Sequence, residues 1–324
     1  MSRFGFGLHD QTKRARTVML GSSLGALVAA SACADPSSGN DSTPGTTTAP
    51  PLSTTGEDAT AATPADDSTG GDAKLDVLPA GDMPNITDGG DGCEQDVDIV
   101  FVMDVSTTMG PVLDQLATEI IFVDEALDAM DLPGDPHYGL VVFVDDAALL
   151  NAGVPYDSVA LLQQDFNEWS AFTASNQQVG GGNLNSTWPE NSLDALYLAA
   201  TGFQWRPAET TLRLIIHTTD DTFWDGPTTQ NGVEIERGYA ETVDALQQRQ
   251  IRDFSFAATL GGQCECENVT PGWSTPYMDM APIPEATAGG VFDIDEVLAG
   301  VTSLADALEN AVETTMCEPY PPVG

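Results

Sequence analysis

From residue 97 onward the chain repeats one alternation, a short apolar run of strand length followed by a segment with helical spacing. The runs are VDIVFVM (97–103), YGLVVFV (138–144), TLRLIIHTT (211–219), IRDFSFAATL (251–260) and GGVFDI (289–294). The first and third are continuous enough to be buried on both faces. Between the first two, apolar residues fall at 112, 116, 120, 123, 127 and 130 of the segment 109–130. Segments 191–203, 236–250 and 295–315 behave similarly, and the glycines at 180–182 follow a further helical stretch. This alternation predicts an α/β fold: a doubly wound, mostly parallel central sheet with helices on both faces. Ligands of such sheets bind beyond the carboxyl ends of the strands, where the strand order switches direction. Asp104, Asp145 and Asp220 stand at such ends.

The first 91 residues do not share the pattern. Arg3, Lys13, Arg14 and Arg16 precede a short apolar stretch, 17–32, that ends in AASAC. A charged segment followed by so short an apolar one reads as an export signal rather than a membrane span. Small residues directly before Cys33 resemble the processing site of bacterial lipoproteins, which implies a leader at 1–32 and lipidation of Cys33. A plain secretory signal is the alternative. Residues 33–91 are rich in Ser, Thr, Pro, Gly and Asp. That composition buries too little apolar surface to offset chain entropy, so a disordered tether is expected, with an r.m.s. span of roughly 40–45 Å. The folded domain is then 92–324.

Fifty acidic residues stand against ten Lys and Arg, a formal charge of −40. Such a surface repels nucleic acid and anionic headgroups and favours divalent metals and cationic partners. Residues 92–324 contain Arg206, Arg213, Arg237, Arg249 and Arg252 and no lysine. Four cysteines follow Cys33. Cys93 precedes the first strand and Cys317 follows the last helix, so a Cys93–Cys317 bridge is expected, stabilising by about 5 kcal/mol in the chain-entropy model. Cys264 and Cys266 form either a local bridge or part of a thiolate metal site; export outside the cytosol favours the bridge.

Three segments carry the chemistry. The first is Asp104-Val-Ser106-Thr-Thr108, the second the loop 179–196, and the third LRLIIHTTDDTFWDG, 212–226. Hard divalent cations take oxygen ligands. Two hydroxyls at alternate positions after a strand, with Asp104 behind them, make part of such a shell, and Asp220 with an oxygen from the middle loop would complete it. Read alone, each piece also has a structural meaning: a helix cap, a first-turn acid or a turn.

Taken together the segments resemble a von Willebrand factor A (VWA) domain and its metal-ion-dependent adhesion site (MIDAS), whose first motif is D-x-S-x-S. Thr108 replaces the last serine and keeps the hydroxyl. The likeness is greatest to the I-like domain of integrin β subunits. Their loop N-x-D-x-P-E-G-G-F-D-A is matched by Asn185-Ser-Thr187-Trp-Pro189-Glu190-Asn-Ser-Leu-Asp-Ala, and their strand end T-D-(A/D)-G-F-H-F by Thr219-Asp220-Asp221-Thr-Phe223-Trp224. The resemblance implies that Ser106, Thr108 and Glu190 contact Mg²⁺ (or Ca²⁺ or Mn²⁺), with Asp104 and Asp220 acting directly or through water. A second cation position would use Asp145, Asn185, the Pro189 carbonyl and Glu190, with Thr187 where the family has an aspartate. A third would need acids at 111 and 112, where Pro111 and Val112 stand.

The first motif also resembles that of haloacid-dehalogenase-type phosphatases. Ser106 occupies the place of their second aspartate, and no lysine follows Lys74 to hold a phosphoryl group. Residues 92–324 contain no G-x-S-x-G elbow and no zinc-peptidase motif. The expectation is therefore a non-enzymatic binding module, lipid-anchored in a bacterial cell envelope, that uses a bound cation to take a carboxylate of a protein partner. Loops 146–156, 222–235 and 261–288, with Trp224, Trp273 and Tyr277, would select that partner. A structural lipoprotein with a degenerate site is the alternative.

Overall fold

The computed structural model describes residues 94–130, 132–230, 232–259 and 268–322. The expected leader, tether and Cys33 lie outside the described residues, as do Cys93, Cys264 and Cys266. Cys317 is disulfide-bonded, and every other cysteine of the chain falls outside the described residues.

Six strands form the sheet: β1 (Asp96–Asp104), β2 (His137–Phe143), β3 (Ala147–Leu149), β4 (Thr211–Thr218), β7 (Ile251–Ala257) and β8 (Gly290–Asp293). Their order is β3-β2-β1-β4-β7-β8, parallel throughout except for the antiparallel edge strand β3. A separate hairpin, β5 (Thr228–Gln230) with β6 (Val233–Ile235), rises between β4 and β7 in sequence. The order turns at the centre: the chain leaves β1 toward β2 and leaves β4 toward β7. The β1–β4 boundary is therefore the switch point, with Asp104 at one side of it and Asp220 just past the other.

β1 shows why both faces are covered. Val97, Ile99, Phe101 and Met103 face one core, packed by α1 (Gly110–Ala129), α2 (Val159–Thr173), α6 (Ile294–Leu298) and α7 (Leu304–Thr315). Val100 and Val102 face the other, packed by α3 (Ser192–Gly202), α4 (Tyr239–Gln248) and α5 (Ile283–Ala286). Burying a Val, Leu, Ile or Phe contributes roughly 1.5–3 kcal/mol, so two filled layers fix the register of the central strands and with it the position of Asp104.

The helix expected over 295–315 is two helices. Gly300, at φ +66°, ends α6 in the left-handed conformation that glycine adopts without strain. Ser303 starts α7, its side chain accepting from the Asp306 N–H. Glu119 of α1 accepts the Leu304 and Ala305 N–H groups at 2.7 and 3.2 Å, satisfying donors that a helix start leaves bare. The strand expected to reach residue 260 ends at Ala257, and the helix expected from 236 begins at Tyr239.

Candidate metal centre

Asp104 is fully buried at the end of β1. One carboxylate oxygen accepts the Ser106 N–H at 2.8 Å, and this Asx-type turn swings the chain into the loop before α1. The other accepts the Thr219 hydroxyl at 2.8 Å. The Ser106 and Thr108 hydroxyls lie 3.3 Å apart, and Thr108 is close enough to the Asp220 carboxyl to offset part of the rise that burial imposes on it. Carboxylate oxygens of Asp104, Asp220 and Asp221 lie within 4.8 Å of one another, the only such trio of potential metal-ligating residues among those described.

Glu190 enters from the middle loop. Its backbone is tied beside the end of β4, its N–H donating to the Thr222 carbonyl at 3.1 Å and its carbonyl accepting from the Trp224 N–H at 3.1 Å. Its side chain is 1 % exposed. Oε1 accepts the Asn185 amide at 2.9 Å; Oε2 is buried with no hydrogen-bond partner. Oδ1 of Asp220 and Oδ1 of Asn185 are buried acceptors in the same condition.

The electrostatics follow from this crowding. Burial, reinforced by the Asp220 charge, pushes the Asp104 carboxyl up to about 7. Burial, with Asp104 next in weight, pushes Glu190 up to about 9. Burial raises Asp220 as well. No Lys or Arg pairs with Asp104, Glu190 or Asp220 among the ion pairs of the described residues. Several carboxylates that cannot all ionise together, two hydroxyls and bare buried acceptor oxygens make a donor set that fits a hard divalent cation. A buried acceptor without a donor costs about 1–3 kcal/mol, and a cation removes that cost.

The second cation position is differently furnished. The Thr187 hydroxyl hydrogen-bonds Asp145 Oδ1 and lies 3.2 Å from the Pro189 carbonyl oxygen, while the Trp224 indole N–H reaches the same hydroxyl at 3.3 Å. Asp145 Oδ2 accepts from Ser186 N–H at 3.3 Å and Gln178 at 3.4 Å. Asn185 turns its amide to Glu190 instead. Asp145, Asn185, Thr187 and Pro189 are thus brought together; Asp145 and Thr187 are already hydrogen-bonded, while Asn185 Oδ1 and Glu190 Oε2 have no hydrogen-bond partner. At the third position Pro111 is exposed and Val112 is buried in the core.

Sequence reading passed over two contributors. Asp221 follows Asp220 and looked like part of a turn, yet that turn folds both acids toward Asp104. Thr219 orients Asp104, and only the β1–β4 pairing reveals it. Trp273 was grouped with partner-selecting aromatics; it is buried, its indole N–H donating to the Asp221 carbonyl at 3.0 Å, and packs edge-on against Phe223. It braces the site from below rather than meeting a partner.

No protein-family model and no curated protein matches the sequence. Among solved structures, the chain is similar to an aerotolerance-related membrane protein from Bacteroides fragilis, at 14 % identity and a TM-score of 0.40, covering 67 % of this chain and 99 % of that one. It is also similar to proximal thread matrix protein 1 from the mussel byssus, at 14 % identity and a TM-score of 0.40, covering 68 % of this chain and 47 % of that one. A form of the mussel protein described as having a zinc-occupied MIDAS motif gives 16 % identity and a TM-score of 0.39, over 68 % of this chain and 46 % of that one. The chain thus spans less than half of the mussel protein.

Proposed function

We propose that this chain is a VWA-type, non-enzymatic binding module that holds a divalent cation, Mg²⁺, Ca²⁺ or Mn²⁺, at the β1–β4 switch point and uses it to grip a carboxylate of a protein partner. The observation that carries the reading is the unpaired buried oxygens of Glu190 and Asp220 beside Asp104, with no Lys or Arg paired to them among the described residues. Ser106, Thr108, Asp220 and Glu190 would hold the ion, with Asp104 and Asp221 behind or beside them. When bound, the cation supplies an electrophilic position for an acidic oxygen within a surface that otherwise repels acids.

The chain's own residues do the positioning. Asp104 fixes the turn that presents Ser106 and Thr108. Asn185 sets one oxygen of Glu190 and leaves the other bare. Trp188, 46 % exposed beside the cis Trp188–Pro189 bond, gives the rim an apolar contact surface. Anchoring in a bacterial envelope through Cys33 belongs to the same proposal; no helix of the described residues is long and apolar enough to cross a membrane.

Manganese gives a direct test. Mn²⁺ bound to the chelator-treated chain should enhance water-proton relaxation, and an acidic peptide should lower that enhancement as its carboxylate displaces coordinated water. An Asp104→Ala chain should do neither. Tight Mn²⁺ binding that acidic peptides leave untouched would remove the partner-gripping role.

A further inference from the structure

Beside the Glu190 loop lies a second feature, built in part from the residues that follow the cation-site acids. Asp146 succeeds Asp145, and Asn191 succeeds Glu190. With Asp194, Tyr197, Glu234 and Arg237 they line a cavity of about 440 Å³ between α3, β3 and the β5–β6 hairpin. Asn191 is only 2 % exposed. Its amide nitrogen donates to Asp194 Oδ2 at 3.0 Å, and since a carboxylate only accepts, this contact fixes the orientation of the amide. Oδ1 of Asn191 is left as a buried acceptor without a hydrogen-bond partner.

The charges around it are unbalanced. Asp146 accepts the Val179 and Gly180 N–H groups, each at 2.7 Å. Asp194 accepts the Arg237 and Glu236 N–H groups at 2.7 and 3.1 Å. These bonds hold the carboxylates in place and leave their charge uncancelled; Asp146, Asp194 and Glu234 take part in none of the ion pairs of the described residues. One guanidinium already sits in the wall. Arg237 lies 4.2 Å over the Tyr197 ring and pairs with Glu241 at 2.6 Å and Glu236 at 3.2 Å. The cavity therefore offers fixed carboxylates, a lining residue whose buried amide oxygen has no hydrogen-bond partner, and a wall in which a planar cation already stacks on an aromatic ring.

We infer that this cavity receives a cationic head group, a guanidinium or ammonium, from a basic side chain of a partner protein. A cation answers two needs at once: it donates N–H to Asn191 Oδ1 and balances Asp146, Asp194 and Glu234. The inference needs no metal. Joined to the cation centre, it specifies a partner that offers a carboxylate at the switch point and a Lys or Arg beside the Glu190 loop.

The test uses the ¹⁵N-labelled full chain with n-butylguanidinium, and n-butylurea as a neutral probe of similar shape. Butylguanidinium should produce saturable amide shifts over 191–201 and 233–237 in the millimolar range. The shifts should persist in EDTA and in Asp104→Ala, which separates this site from the metal centre. Glu234→Lys, at an exposed position that does not threaten the fold, should weaken binding at least tenfold. Butylurea should not saturate. Absence of saturable shifts, equal responses to the two probes, or full binding by Glu234→Lys would each overturn the inference.

Discussion

Asp98 and Asp104 lie on the same strand, and neither exposes any surface, yet the two ends of β1 treat a buried carboxylate in opposite ways. At the amino end Asp98 meets Arg206, whose Nε lies 2.6 Å from one oxygen while its backbone N–H donates to the other at 2.7 Å. The guanidinium also reaches the Val97 carbonyl at 2.6 Å and Asp96 at 3.3 Å. At the carboxyl end Asp104 meets a hydroxyl, an N–H and more carboxylates. The first arrangement is closed and structural. The second has no Lys or Arg paired with it among the described residues. The difference separates an ion pair that holds the fold from the cluster at which we propose that a cation binds.

The largest effect expected from breaking this contrast is at the closed end. Arg206→Met leaves Asp98 buried and uncompensated and should cost about 3–5 kcal/mol. Urea unfolding should show the same loss with Mg²⁺ and with EDTA. Asp104→Asn should behave in the reverse way: little or no loss of stability in EDTA near pH 8, and complete loss of any cation-dependent gain. A large loss for Asp104→Asn in EDTA would make Asp104 a structural acid like Asp98.

Next in size is the cation itself. A divalent ion at a hundredfold excess over its dissociation constant should stabilise the chain by about 2.7 kcal/mol, read as a shift of the unfolding midpoint that EDTA reverses. An unchanged midpoint on adding Mg²⁺, Ca²⁺ or Mn²⁺ in turn would leave the open end unexplained.

The contrast was only half legible in the sequence. The apolar runs and the D-x-S-x-T segment pointed to the sheet and to its carboxyl end, because a doubly buried strand needs a continuous apolar stretch and a liganding acid has to follow it. Short edge elements carried no comparable signal. β3, β5 and β6 are three residues each, too short for an alternation to show. Long-range partners were invisible for another reason: Asp98 is 108 residues from Arg206, and Asp104 is 115 from Thr219. Only the pairing of β1 with β4 brings them together. Asn191 likewise stood inside a matched motif with no role of its own, and its bare oxygen is a product of packing.

A smaller effect concerns pH. Asp104 and Glu190 hold their protons more tightly folded than unfolded, at about 7 and about 9. The metal-free fold therefore keeps its full stability below the ordinary carboxylate range and loses it as pH rises through those values. His217 acts with opposite sign: burial lowers it to about 3, so its contribution is lost as pH falls from about 6.5 toward 3. The two oppose each other in mild acid, and the clean window is pH 7 to 9, where Glu190 dominates. There the EDTA-treated chain should lose up to about 1.4 kcal/mol for each pH unit, and a saturating cation should flatten the slope.

The smallest effect is expected at Thr187. Thr187→Val removes a hydroxyl that joins Asp145, Pro189 and Trp224. It should cost about 1 kcal/mol and weaken cation binding several-fold by loosening the loop that carries Glu190, as seen in paired unfolding and Mn²⁺ titrations. Unchanged Mn²⁺ affinity would detach this hydrogen-bonded cluster from the metal centre.

The central claim is that the open end of β1 binds a divalent cation. Isothermal titration of Mg²⁺, Ca²⁺ and Mn²⁺ into the chelator-treated chain, beside Asp104→Ala and Glu190→Ala, tests it most directly. One saturable site per chain, lost in both variants, is the predicted result. Heat indistinguishable from dilution in the folded wild type, or equal binding in all three proteins, would contradict it.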